Sequence, residues 1–167
     1  MSVRPLVVAL LFGGATLQAQ APQSTRPDPP ATLNAAQLLA RDIYKELVNI
    51  NTTAEHGSTT LAAEAIARRL RAAGFAEADI FQGGPKPTKG NIVFRMRGTG
   101  ARKPLILRAH LDVVEAKRED WTRDPFVYEE TDGFYYGRGS TDDKPMAAIF
   151  TANLIRYRQE GFVPIAT

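Results

Sequence analysis

Two short stretches of this chain hold residue types that could do chemistry together. They are His110 and Asp112 in KPLILRAHLDVV, Lys103 to Val114, and Asp142 and Asp143 in YGRGSTDDK, Tyr136 to Lys144. In the first, the continuous apolar run Leu105-Ile106-Leu107 predicts a strand buried on both faces, and polar chemistry begins where that run stops. Side chains alternate along an extended chain, so His110 and Asp112 should leave it on the same side, with Leu111 turned away. Asp112 could then accept the proton of one ring nitrogen and leave the lone pair of the other for a metal. In the second stretch a strand, Phe134 to Tyr136, runs through Gly137-Arg138-Gly139 into a helix that should begin at Asp142 and Asp143. A carboxylate suits the positive end of a helix dipole, and its two oxygens can bridge two cations about 3.5 to 4 Å apart. Each half also has a plain structural reading, as a satisfied strand-end histidine or as a capped strand-to-helix turn. Both halves in this order, the first after an apolar strand, favour a metal site.

HLDVV, then WTRDPF, then DGFYYGRGSTDDK resembles the zinc aminopeptidase and deacylase superfamily of aminoacylase, acetylornithine deacetylase, succinyl-diaminopimelate desuccinylase, carnosinase and glutamate carboxypeptidase. The resemblance runs from about Ala40 to Gly161 and implies roles for three residues. His110 would bind one zinc, Asp112 would orient it, and Asp142 would bridge two zincs, with cobalt or manganese as substitutes. It further implies a cis peptide between Asp142 and Asp143, and hydrolysis of an amide bond in a small peptide or N-acyl amino acid. A water held between the metals would attack the carbonyl while a glutamate takes its proton. Glu129 and Glu130 are rejected as the adjacent glutamates of such an enzyme, because consecutive strand residues face opposite ways and this pair leads into a hairpin turn. In the family that pair lies on a later strand, beyond Thr167. The resemblance admits a homodimer for the complete protein. Pro145 and Glu115 depart from the family pattern; proline in the first turn of a helix is tolerated, because its amide needs no partner there.

Elements must hold these residues in place. Leu38, Leu39, Ile43, Leu47 and Ile50 recur at helical spacing between Leu33 and Ile50. A second helix is predicted from about Thr59 to Ala73, with hydroxyl caps at Ser58 to Thr60, an apolar face of Leu61, Ala65, Ile66 and Leu70, and Gly74 as its stop. Arg68, Arg69 and Arg71 read as its solvated face rather than as a nucleic-acid patch, and His56, in the loop between the helices, reads as solvent-exposed. Short strands follow at about Ala78 to Gln82 and Asn91 to Arg97, the latter turning through Gly98 to Arg102 in a hairpin with the histidine strand. Trp121 and Phe126 cover the core edge, and Phe126 to Tyr128 open a strand that Thr131-Asp132-Gly133 folds back onto Phe134 to Tyr136. The last helix runs from about Asp142 to Glu160 with Met146, Ile149, Phe150, Leu154 and Tyr157 inward, and Phe162 to Ile165 begins another strand.

These elements predict an α/β fold, a three-layer mixed, largely parallel sheet with helices on both faces, here as an incomplete catalytic domain over 33–167. Residues 1–21 read as a signal peptide: Arg4 gives a basic start, Leu6 to Leu17 is apolar and small, and Ala19-Gln20-Ala21 has the form that a signal peptidase cleaves. Residues 22–32, with four prolines among them, read as a linker. The protein is then expected to be exported, periplasmic or secreted, with no membrane attachment after cleavage. Without cysteine it can have neither a lipid-modified amino terminus nor disulfides. The net charge of +3 is small and dispersed and speaks for neither nucleic acid nor a membrane surface. A second function remains open, a non-catalytic truncated domain or binding module on the same scaffold.

Overall fold

Asn34 starts the first helix. Its side chain accepts from the Gln37 amide and the Gln37 side chain accepts from the Asn34 amide, each at 2.9 Å, so two otherwise unpaired donors are satisfied reciprocally. The computed structural model describes residues 32–166. In it α1 spans Ala35–Val48 and buries Ile43, Tyr44, Leu47 and Val48. Leu38 is 48% exposed, against expectation, while Leu39 packs on the core. At 100° per residue Leu38 lies about 140° around the helix from Ile43, and Leu39 only about 40°. Ser58 caps α2, Thr59–Ala72, by accepting from the Leu61 amide, and Gly74, at φ +82°, ends it in the left-handed conformation. Its buried face is rich in alanine, Ala62, Ala63, Ala65 and Ala67 around Ile66 and Leu70, and Leu61 is left 53% exposed.

Strands β1, Ile80–Gly83, and β2, Asn91–Phe94, pair antiparallel, with Ile80 opposite Phe94, and α2 packs on them. Strands β3, Glu129–Thr131, and β4, Phe134–Tyr136, form a second antiparallel pair, closed by Asp132 and Gly133 at φ +53° and +75°. Phe126 to Tyr128 precede this ladder and do not belong to it. Helix α3, Lys144–Gln159, packs against α1 with Pro145 in its first turn. It buries Lys144, Ala147, Ala148, Thr151, Ala152 and Ile155, and Met146 and Ile149 are 41% and 44% exposed. The inward face is therefore not the bulky one expected. α1 already brings Ile43, Tyr44, Leu47 and Val48 to the shared core, and close packing asks for small side chains opposite them.

Over the described residues the chain is thus a mixed α/β fold of three α-helices and small antiparallel sheets. The expected strand at Leu105 to Leu107 is not formed, and these residues are 80%, 78% and 47% exposed rather than buried on both faces. Nor does the expected hairpin between β2 and the histidine stretch form: among the described residues β2 pairs with β1 alone. A strand needs a neighbour to satisfy its amides and carbonyls, and this stretch finds little. What it has is one parallel bridge, Arg102 to Ala166, with the Thr99 amide donating to the Pro164 carbonyl at 2.9 Å and the Arg102 amide to Ile165 at 3.0 Å. The expected signal peptide, 1–21, and nearly all of the linker lie outside the described residues. Among the described residues no helix is long and apolar enough to cross a membrane.

Candidate functional site

From Ala109 the histidine stretch regains a period of two. Ala109 and Leu111 pack on the core and Val113 is buried, while His110, Asp112 and Val114 are exposed. His110 and Asp112 therefore point the same way, as their spacing predicts. The imidazole lies between both halves of the site. Its Nδ1 is 3.0 Å from the backbone carbonyl of Asp112 and 3.5 Å from the Asp112 carboxylate, and its Nε2 is 2.9 Å from Oδ1 of Asp142. The nearer partner of Nδ1 is thus the Asp112 carbonyl, not the carboxylate. The His110 amide donates to Oδ2 of Asp143 at 3.3 Å, a contact not anticipated from sequence.

Both ring nitrogens face acceptors, so the ring is best satisfied when it carries two protons. Partial burial works against the imidazolium, but the hydrogen bond to Asp142, the Asp112 carbonyl and the charges of both carboxylates outweigh it and raise the pKa. A cation in place of the Nε2 proton would meet one imidazole nitrogen and one carboxylate oxygen, donors that zinc accepts. Among the described residues no group of three or more His, Cys, Asp or Glu could hold a metal ion. The donors fit zinc as part of a site and fall short of closing one.

The second half is held from α1. The Tyr44 hydroxyl donates to the Ser140 carbonyl at 2.9 Å, and burial pushes its pKa up to about 12. The Arg138 amide donates to Pro125 at 2.6 Å. Gly137 and Gly139 adopt φ +147° and +83°. A Cβ on Gly137 would stand 2.5 Å from Val48, and one on Gly139 2.6 Å from Val113, so both glycines allow close approach. The peptide between Asp142 and Asp143 is cis, as the resemblance implies.

Glu129 and Glu130 are engaged elsewhere, paired with Arg123 at 2.6 Å and Arg41 at 2.8 Å. The helix arginines pair with acids, Arg68 and Arg69 with Glu46 and Arg71 with Glu77, and the His56 side chain is 77% exposed.

Lys144 escaped sequence reading. It is fully buried, and its Nζ donates to the Ile50 carbonyl at 2.8 Å. A lysine at the amino end of a helix, where the dipole disfavours a cation, is the signal that could have drawn notice. Desolvation lowers its pKa from 10.5 to about 8. Between those values the unfolded chain binds more protons than the folded one, so stability should rise with pH across that window, by about 3 kcal/mol in all. Urea unfolding between pH 8 and 10 should show this rise, and Lys144→Met should remove it; an equal rise in the variant would assign it to another group.

Residues 106–167 match the model of Peptidase family M20/M25/M40. The chain is 37% identical over 103 residues to a succinyl-diaminopimelate desuccinylase of Delftia acidovorans, an overlap covering 60% of this chain and 27% of that protein. A desuccinylase of Xanthomonas euvesicatoria is 42% identical over 87 residues, 52% of this chain and 22% of the relative. The N-fatty-acyl-amino acid synthase/hydrolase PM20D1 of Xenopus tropicalis is 47% identical over 53 residues, 31% and 10%. The chain thus spans about a quarter or less of the length of these curated relatives. With the paired motifs in place on this fold, these matches support the M20 superfamily of zinc metallopeptidases and deacylases, over part of the relatives' length.

Proposed function

We propose that this chain supplies the His110 and Asp142 portion of a two-zinc site that hydrolyses an amide bond in a small peptide or an N-acyl amino acid. The observation behind this reading is the imidazole of His110 set between Asp112 and Asp142, with Nε2 turned to a carboxylate oxygen. Zinc bound there would polarise the amide carbonyl and make a water acidic. The chain's own residues do the positioning. The Asp112 carbonyl keeps a proton on Nδ1 and so leaves Nε2 for the metal, Asp142 offers the bridging carboxylate, and Asp143 holds the His110 backbone. The general base and the remaining ligands belong to segments outside this chain. Residues 103–109 and 162–166 become neighbouring parallel strands of a three-layer sheet when those segments are present, which would cover Leu105 and Ile106. We further propose export through a cleaved signal peptide, and action as a homodimer on small substrates, without nucleic acid or membrane.

Two donors cannot hold two ions tightly. The 167-residue chain alone is therefore expected to bind zinc weakly and to cleave no dipeptide or N-acyl amino acid, while a form extended over the rest of the domain does both. Zinc titration and amide hydrolysis on the two forms side by side test this. Tight zinc and turnover by the short chain would return Glu129 and Glu130 to consideration. The shortage of donors also favours a second reading, in which the chain by itself is a non-catalytic truncated domain or binding module. An extended form as silent as the short chain in the same assay is what that reading requires.

A further inference from the structure

The two halves of the site lie 32 residues apart in sequence and share no strand ladder, yet their side chains meet at 2.9 Å. One short segment after α1 touches both. The Thr52 hydroxyl, fully buried, donates to the Leu111 carbonyl at 2.7 Å, between His110 and Asp112 in the chain, and the Val113 amide reaches back to the Thr52 carbonyl at 3.4 Å. Two residues earlier, the Ile50 carbonyl accepts from Nζ of Lys144, which follows Asp142 by two positions. The segment is itself fixed. The Asn51 side chain accepts from the Thr53 amide at 2.9 Å, the Asn51 carbonyl from the Ser58 amide at 2.9 Å, and the Thr53 carbonyl from Nζ of Lys89 at 2.9 Å. Gly57 lies so close that a Cβ there would stand 2.2 Å from the Thr53 nitrogen.

We propose that Ile50 to Thr53 is a brace, and that Thr52 and Lys144 are positioning residues which hold His110 and Asp142 at a shared distance. This rests on the reading of those two as metal ligands. Core packing alone does not ask for these groups. A valine fills the space of Thr52 and a methionine that of Lys144, but neither can donate to its part-buried carbonyl, which would lose that partner. The segment's Thr52 hydroxyl on the Leu111 carbonyl and the Lys144 ammonium on the segment's Ile50 carbonyl, each contact within two residues of a ligand, set backbone position where no ladder does.

The test uses the 167-residue chain, with Thr52→Val, Lys144→Met, the conservative Thr52→Ser, and Thr151→Val as a control. Thr151 is equally buried and its hydroxyl bonds only within α3, to the Ala147 carbonyl at 2.8 Å. Zinc affinity by titration, the His110 ring nitrogen resonances of the metal-free chain, and urea unfolding are measured on each. Thr52→Val and Lys144→Met are expected to lower zinc affinity about tenfold or more and to move the His110 ring resonances. Thr52→Ser should restore both, and Thr151→Val should change stability alone. Ring resonances and zinc affinity that stay as in the wild type in Thr52→Val and Lys144→Met would overturn the brace, as would Thr151→Val moving them equally. If one of the two fails to fold, the other carries the same readouts. Should His110→Ala leave zinc affinity of the chain untouched, the ligand reading fails, and the ring resonances still decide whether the brace exists.

Discussion

On the proposed function, His110→Ala and Asp142→Ala, made in a form extended over the rest of the domain, are each expected to lower kcat/KM for amide hydrolysis by about a thousandfold or more. A metal that polarises the scissile carbonyl contributes several kcal/mol to the transition state, and each 1.36 kcal/mol is a factor of ten in rate. Removing either donor takes away the nitrogen or the carboxylate oxygen that face one another at 2.9 Å. Asp112→Ala should cost less, about ten- to a hundredfold, because its carboxylate stands 3.5 Å from the ring and its carbonyl, which any residue retains, makes the shorter contact. The ranking is as informative as the sizes. Steady-state kinetics with an N-acyl amino acid, beside zinc content by elemental analysis, measure both. An Asp142→Ala enzyme that keeps its zinc and most of its rate would remove Asp142 from the site.

Gly139→Ala is the second large effect, and it concerns folding. At φ +83° an L-residue costs about 1 to 2 kcal/mol, and the new Cβ would stand 2.6 Å from Val113 Cγ1 and 3.1 and 3.3 Å from Cδ and Cε of Lys144. Overpacking of this kind adds about 1 to 3 kcal/mol, so a loss of about 2 to 5 kcal/mol is expected. Gly133→Ala separates the two contributions. Its φ of +75° is similar, but nothing lies within 4 Å of a Cβ there, and only the backbone cost of about 1 to 2 kcal/mol should appear. Urea unfolding of both variants compares them directly. Equal losses would mean that the crowding against Val113 and Lys144 relaxes freely.

Local signals read well from the sequence. Ser58 and Gly74 bound α2 as their chemistry dictates, Asp132-Gly133 turns the β3–β4 hairpin, and the alternation at His110, Leu111 and Asp112 puts the two polar side chains on one side. Nonlocal choices read poorly. Which side of α3 faces inward depends on what α1 brings to the contact, and the bulky Met146 and Ile149 gave no hint that an alanine face would win. Leu105 to Leu107 have the composition of a buried strand, but burial is conferred by neighbours, and a run of residues cannot carry its neighbours with it. Thr52 and Lys144 were missed for a related reason, since a hydroxyl in a loop and a lysine in a helix become notable only when the carbonyls they reach are known.

The exposed stretch ahead of His110 also bears on what a measured affinity means. Asp142 precedes a helix packed into the core, whereas His110 follows residues that belong to no ladder. A ligand that grips both therefore joins a helix packed in the core to a stretch that no ladder holds, and it would restrict whatever freedom that stretch has as it binds. Apparent affinity is the intrinsic affinity scaled by the fraction of molecules already in the competent arrangement. Under the proposed sheet, each neighbouring strand that settled beside residues 103–109 would raise that fraction. On the proposed reading, zinc affinity would thus gauge how far the sheet has assembled, even where every donor atom is already present.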